Sequence, residues 1–183
     1  LKFMLASPAE DAAEIMARLG PLVWVEDKYD GIRAQLHRSG SDVRLYSRDL
    51  HDISGQFPEV IAGARDLPWA GILDGELLAW KDGVVLPFLQ LQARLGRKNP
   101  SPAILADVPV IYVAWDVLGL DRDAGTEVES LLGVPLTERR RTLEGLALPL
   151  AADGGRFALS HLVTVDSIDG LEEAFAEARA RRN

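Results

Sequence analysis

The densest run of reactive side chains is Glu26-Asp27-Lys28-Tyr29-Asp30-Gly31-Ile32-Arg33, with five charges in eight residues directly after the apolar Leu22–Val25. Strand alternation puts Leu22, Trp24, Glu26 and Lys28 on one face and Val23, Val25 and Asp27 on the other. An amine and a carboxylate thus point the same way from a strand end. Gly31 permits a sharp turn or the close approach of a ligand, and Arg33 opens the next strand. A lysine amine becomes a nucleophile only after losing a proton from a pKa of ~10.4. The plain alternative is a charged surface hairpin with ordinary salt bridges, since short motifs match by chance.

The rest of the chain bounds what such a cluster could serve. Its 183 residues suffice for one generous domain or two small ones without a disulfide or metal staple. Hydrophobic residues make up 48% and charged residues 26%, which excludes general disorder. The formal charge of −8 excludes coating nucleic acid by bulk charge but leaves room for a local basic groove. No cysteine is present, so disulfides, zinc thiolates and cysteine nucleophiles are excluded. No apolar run approaches the ~20 residues of a membrane span, and no signal-peptide pattern opens the chain. The expectation is a cytoplasmic protein with no membrane partner.

Elements to hold the cluster can be read in order. Ser7-Pro8-Ala9-Glu10 has capping-box spacing ahead of a helix carrying Ala12, Ile15, Met16 and Leu19, which Gly20-Pro21 stops. Strands are predicted over 22–28, 32–37 and 43–47, the last two joined as a hairpin by Ser39-Gly40-Ser41-Asp42. A helix over 58–67, a strand over 71–80 and a short helix over 87–95 follow, then the apolar strand 109–118. Beyond an acidic loop over 119–133, a helix over 136–146 should turn Leu136, Leu143 and Leu146 inward, and 156–165 reads as one strand. The last helix, from about Ser167, aligns Ile168, Leu171, Phe175 and Ala178 in one stripe. The mixture lacks strict βαβ alternation, which indicates an α+β fold with largely antiparallel sheets.

Lys28-Tyr29-Asp30-Gly31-Ile32-Arg33 resembles motif I of the nucleotidyltransferases that act through a lysine-linked nucleotide: ATP-dependent DNA ligases, RNA ligases and mRNA capping enzymes. Ser47-Arg48-Asp49 is similar to motif Ia, Leu73-Asp74-Gly75-Glu76-Leu77 to motif III, and Val113-Ala114-Trp115-Asp116-Val117 to motif IIIa, in the family's order. Met4-Leu5-Ala6 and Pro87-Phe88 resemble the contexts found in the DNA ligases. The resemblance implies the nucleotidyltransferase fold of ligase adenylation domains (ATP-grasp-like), with antiparallel sheets flanked by helices. It implies that Lys28 attacks the α-phosphate of ATP and carries AMP, which then passes to the 5′-phosphate of nicked double-stranded DNA. Arg33 and Arg48 would offer planar donor forks to ribose and phosphate oxygens, Glu76 would accept a ribose hydroxyl, and Glu26 would help read the adenine edge. Trp115 would stack on the base, although by composition a tryptophan is more often core. Arg48 could equally be a loop cation, Glu76 a strand-edge carboxylate, and Asp74 a structural residue.

The same resemblance implies Mg2+ as cofactor. It also implies a partial adenylation domain over 1–183, because the motif IV Glu-Gly pair, the motif V lysines and the OB-fold domain of the family do not appear. By itself such a stretch should adenylate weakly. The basic cluster Arg94, Arg97 and Lys98 could supply phosphate contacts to DNA, whereas Arg139, Arg140 and Arg141 read as a solvated helix face. His37, His51 and His161 show no ligand spacing. An RNA ligase or capping-type enzyme, or a binding module without turnover, are the rival readings.

Overall fold

Proline at the first helical position costs no hydrogen bond, and Pro58 and Pro102 each open a helix on that principle. The computed structural model describes residues 1–123 and 127–180. In chain order the elements begin with α1 (Ala12–Leu19), β1 (Val23–Glu26), β2 (Ile32–Ser39), β3 (Asp42–Ser47), α2 (Pro58–Arg65) and β4 (Ala70–Lys81). They continue with β5 (Val84–Val85), α3 (Phe88–Leu91), α4 (Pro102–Asp107), β6 (Val110–Asp121) and β7 (Glu129–Ser130). Last come α5 (Leu136–Glu144), β8 (Phe157–Leu159), β9 (Leu162–Val165) and α6 (Ile168–Ala180). These elements divide into two compact units, one formed by Leu1–Tyr29 with Ser160–Asn183 and the other by Asp30–Leu159.

The second unit is built on a sheet in the order β3-β2-β4-β6-β7, antiparallel along that path, with β8 joining β6 in parallel. Alternation along β4 sends Leu73 and Leu77 into the core, where they meet Leu36, Leu45, Phe57, Val60, Leu91, Tyr112 and Phe157. The Tyr112 hydroxyl, fully buried, donates to the Ala34 carbonyl at 2.9 Å, and burial pushes its pKa well above the ordinary value. The two glycines that flank the charged motifs answer to packing. A Cβ on Gly31 would collide with the Leu77 carbonyl and the Leu78 and Glu76 side chains, and one on Gly75 with the Val113 carbonyl and the Tyr112 ring. The close neighbour of Gly31 is therefore strand β4.

In the first unit β1 pairs antiparallel with β9, from Val23 opposite Val165 to Glu26 opposite Leu162. Helix α1 starts later than the Ser7 spacing predicts. Asp11 caps it, accepting from the Glu14 N–H at 2.8 Å, while the Glu14 carboxylate accepts from the Glu10 N–H at 2.6 Å. Asp11 thus satisfies one orphan donor of the first turn, and Glu14 ties back the residue that precedes the cap. In α6 Leu171 and Ala174 are buried, but Phe175 is 63% exposed beneath the Arg179 guanidinium. The small Ala174 lets α6 approach α1 and β9, so the inward stripe is rotated from the expected one. The single strand expected over 156–165 is two strands, because the chain changes sheets at Ser160-His161.

The arginines correct the sequence reading most. Arg94, expected at DNA phosphates, is 0% exposed. It donates to both Glu59 carboxylate oxygens at 2.7 and 2.9 Å and to the Gln56 and Val108 carbonyls. Arg139 and Arg140, expected on a solvated face, are buried: Arg139 grips Asp116 and Arg140 pairs with Glu144. Of the two leucines of α5, Leu136 is exposed and Leu143 buried. The forks of Arg94 and Arg139 are satisfied by carboxylates 35 and 23 residues away, pairings that helical periodicity does not reveal, whereas Arg140 and Glu144 are an i,i+4 pair on one helix.

Arg94→Ala should cost about 3–5 kcal/mol in urea unfolding, because Glu59 loses its partner inside the fold. Arg97→Ala, an exposed neighbour, should stay within about 0.5 kcal/mol. A second prediction concerns His37, which donates from Nε2 to Gln35 Oε1 at 3.1 Å and whose ring meets Tyr46 edge-on. Burial lowers its pKa from 6.5 to about 4. Between those values the unfolded chain binds a proton that the folded chain refuses, so stability falls as pH drops from 6.5 toward 4. The loss should reach about 2 kcal/mol and be abolished in His37→Asn, as read by unfolding at pH 7 and pH 5.

Candidate functional site

On the sheet of the Asp30–Leu159 unit, the candidate residues fall into transverse rows set by strand register. Arg33 of β2 lies opposite Glu76 of β4, which lies opposite Val113 of β6. Ser47, the last residue of β3, pairs with Ala34, so Arg48 leaves the sheet beside the Arg33 end of the ladder. One step further along, Tyr46, Gln35, Asp74 and Asp116 occupy four consecutive strands at one register. Strand pairing thus gathers Arg33, Glu76 and the neighbouring Asp74 and Trp115 from segments of sequence tens of residues apart.

Arg33 and Asp74 bridge the two rows. The guanidinium donates to the carboxylate twice, Nη2 to Oδ2 at 2.7 Å and Nε to Oδ1 at 3.2 Å. Asp74 therefore has the structural role weighed for it, and it fixes the plane of the Arg33 fork. The Arg33 guanidinium carbon also lies 5.5 Å from the Trp115 ring centroid, a cation–π distance. Trp115 reaches that place through a β-bulge. Asp74 pairs with Asp116 but Gly75 pairs with Ala114, so β6 has an extra residue at 115 and its ring is half-buried. Glu76 is buried beside Arg33.

Arg48 sits in the turn that follows β3. Backbone bonds from Leu50 N–H to the Ser47 carbonyl and from Ser47 N–H to the His51 carbonyl, at 2.8 and 2.9 Å, shape that turn. Leu50 has φ of 62° there. Arg48 itself is exposed and has no hydrogen-bond or ion-pair partner among the described residues. Its donors are available to a ligand.

The Leu1–Tyr29 and Ser160–Asn183 unit holds the other two candidates. Glu26 ends β1, and its carboxylate accepts a short hydrogen bond of 2.6 Å from the buried Ser160 hydroxyl. The Tyr29 hydroxyl accepts from the His161 N–H at 3.0 Å, tying down the segment that carries Lys28. Lys28 is exposed and has no side-chain partner among the described residues. An amine left unpaired among carboxylates is a group kept for something outside the chain, or simply a surface lysine. Ser160 and Tyr29 escaped the sequence reading because their partners lie 134 and 132 residues away.

Gln35 was also missed. It is fully buried in the row of Asp74, with its amide nitrogen lacking a hydrogen-bond partner among the described residues. Grooves of about 430 and 500 Å³ elsewhere in this unit are lined by other residues, Arg44 and Arg65 in one, Leu67 and Leu148 in the other. No helix among the described residues is long and apolar enough to cross a membrane.

Comparison with known proteins gives concordant results. The model of the family described as "ATP dependent DNA ligase domain" matches residues 3–183. A "Probable DNA ligase" of Opitutus terrae is 42% identical over 97% of this chain and 19% of its own length. A "Probable DNA ligase" of Koribacter versatilis is 47% identical over 79% of this chain and 24% of its own. The chain therefore spans about a fifth to a quarter of these relatives. Among solved structures, a mycobacterial DNA ligase D complexed with ATP and MES superposes with a TM-score of 0.62 and 28% identity, covering 87% of this chain and 45% of that one. The motif order, the sheet that assembles it and the family match over nearly every residue agree, and the chain belongs to the ATP-dependent DNA ligase domain family.

Proposed function

We propose that this chain is the nucleotide-binding part of an ATP-dependent DNA ligase, that it forms a covalent lysine–AMP, and that the AMP is then passed to the 5′-phosphate of nicked DNA. The observation that carries this is the single band on one sheet that joins Arg33, Glu76 and Trp115. A cationic fork, a carboxylate and an aromatic face are the three group types a nucleotide requires for its phosphate, ribose and base. The mycobacterial neighbour of the same fold was solved with ATP bound, which supports the nucleotide over other anions.

In the first step the neutral amine of Lys28 attacks the α-phosphorus of ATP. A nitrogen–phosphorus bond forms, the bond to the bridging oxygen breaks, pyrophosphate leaves and the amine proton passes to solvent. Arg48, exposed and unpartnered, is assigned to phosphate oxygens, where a preorganised cation stabilises charge in the transition state. Arg33, held by Asp74 and set against the Trp115 ring, is assigned to ribose and phosphate oxygens. Glu76 is assigned to a ribose hydroxyl. Glu26, which already accepts from Ser160, is assigned to the adenine edge. In the second step a 5′-phosphate oxygen of a DNA nick displaces Lys28 from AMP, and in the third the adjoining 3′-hydroxyl displaces AMP and seals the strand.

Mg2+ is part of the proposal as a charge-neutralising ion on the ATP phosphates. Such ions are bound by one or two carboxylates and by the phosphates themselves. Among the described residues no group of three or more His, Asp or Glu side chains could hold a metal ion unaided. One or two carboxylates completed by the ATP phosphates would suffice for such an ion, and no step above depends on it. The remaining motifs IV and V, the OB-fold domain and nicked DNA as the partner belong to the same proposal.

Lys28→Ala should abolish the covalent AMP adduct, read by labelled ATP and denaturing electrophoresis on the protein as encoded, without lowering its melting temperature appreciably. Lys28→Arg should fail as well, because a guanidinium stays protonated. A normal adduct yield in either variant removes the nucleophile assignment. Arg48→Ala should weaken adduct formation by about 10- to 100-fold with little loss of stability. Glu76→Ala is expected to raise the apparent KM for ATP. Either variant, if it adenylated normally but melted several degrees lower, would show its side chain to be structural.

A further inference from the structure

A tryptophan on a bulge is not oriented by the strand ladder, and something else must hold its ring. At Trp115 the β4–β6 ladder advances one residue on β4 and two on β6, so residue 115 has no opposite number. The residue that follows is held on every side. Asp116 Oδ1 accepts from its own Val117 N–H at 2.8 Å and from Arg139 Nε at 2.8 Å, and Oδ2 accepts from Arg139 Nη2 at 2.8 Å. The third guanidinium nitrogen of Arg139 donates to the Val134 carbonyl at 2.6 Å. Both side chains of the pair are 10% exposed, and they are 23 residues apart in sequence.

We propose that Asp116 and Arg139 are positioning residues which clamp the β6 bulge to helix α5 and thereby set the direction of the Trp115 ring. A planar fork gripping both carboxylate oxygens fixes the rotation of Asp116, and with it the backbone from which Trp115 leaves the strand. The opposite limit on the ring is the Arg33 guanidinium, itself fixed by Asp74. Two carboxylates in one register row, Asp74 gripped by Arg33 and Asp116 gripped by Arg139, therefore bracket the ring. For the role of the ring as a nucleobase platform, the inference rests on the function proposed above. In that case the pair determines how tightly the base of ATP stacks, although neither residue touches the nucleotide.

The orientation can be tested without nucleotide. Trp115 emission, taken as the difference between each protein as encoded and its Trp115→Phe counterpart, reads the surroundings of the ring. Asp116→Asn and Arg139→Met should shift that emission to the red and increase its quenching by acrylamide. Arg139→Lys, which keeps the charge but cannot grip both oxygens, should do so to a smaller degree. Arg140→Met removes another buried guanidinium from the same helix and should leave Trp115 emission unmoved. Unmoved emission in a folded clamp variant, or an equal change in Arg140→Met, would overturn the proposal. So would failure of all three clamp variants to fold while Arg140→Met folds, since the pair would then be structural only.

Adenylation kinetics separate the clamp from the function. The clamp variants should raise the apparent KM for ATP about tenfold, with kcat falling much less, and should add nothing further in a Trp115→Ala background. Should emission respond to the clamp while neither the clamp variants nor Trp115→Ala alter KM, the clamp is upheld and the nucleobase role of the ring is lost.

Discussion

A carboxylate in the middle of a sheet must be paired if it is to stay ionised, and Asp74 stands at the centre of this one. Its side chain is 8% exposed on the strand that has the longest pairing in the chain. Alternation leaves no other place for it, because Leu73 and Gly75 on either side face the core and Tyr112. Arg33 supplies the compensating charge from the neighbouring strand, and in doing so it is drawn into a fixed plane next to Trp115. The need to neutralise one buried charge thus orients a cation and, through it, an aromatic ring. Gly31 makes this geometry accessible by letting the start of β2 lie against the Leu77 carbonyl.

Most of the architecture can be read along the chain. The hairpin of β2 and β3, the long strands β4 and β6, and the proline-led α2 follow from alternation and turn chemistry at the expected positions. Motif order also carried the candidate residues, since Arg33 and Glu76 do stand opposite each other. What stayed hidden was the destination of long polar side chains. Arg94 and Arg139 look solvated in any local pattern, and only the fold shows Glu59 and Asp116 waiting for them. The bulge at Trp115 was equally invisible, because a run such as Val113-Ala114-Trp115-Asp116 contains no glycine to announce it. The rotation of α6 turned on a choice between Phe175 and Ala174, where closeness of packing outweighed hydrophobicity.

The arginines divide into two populations with different uses. Arg38, Arg94 and Arg139 are consumed by the interior, where forked donors satisfy carbonyls and carboxylates that hydrophobic packing alone would strand. Arg48 remains outside, on a turn shaped by its own backbone hydrogen bonds. Its charge therefore stands in solvent at the end of the β3 ladder, in a chain whose net charge is −8.

The division of the chain also has a consequence in time. The Asp30–Leu159 unit is one continuous stretch, whereas the other unit needs both Leu1–Tyr29 and Ser160–Asn183. During synthesis β1 emerges early, yet the Ser160 hydroxyl that meets Glu26 comes 134 residues later. At ribosomal speeds that interval is roughly 7 to 27 s, ample for the continuous unit to form while β1 waits as an unpaired strand edge. Glu26 and Asp27, placed at the end of that strand, put negative charges beside the edge that would otherwise invite pairing with a neighbouring nascent chain. The acidic residues next to Lys28 would then serve the newborn protein before they serve the folded one.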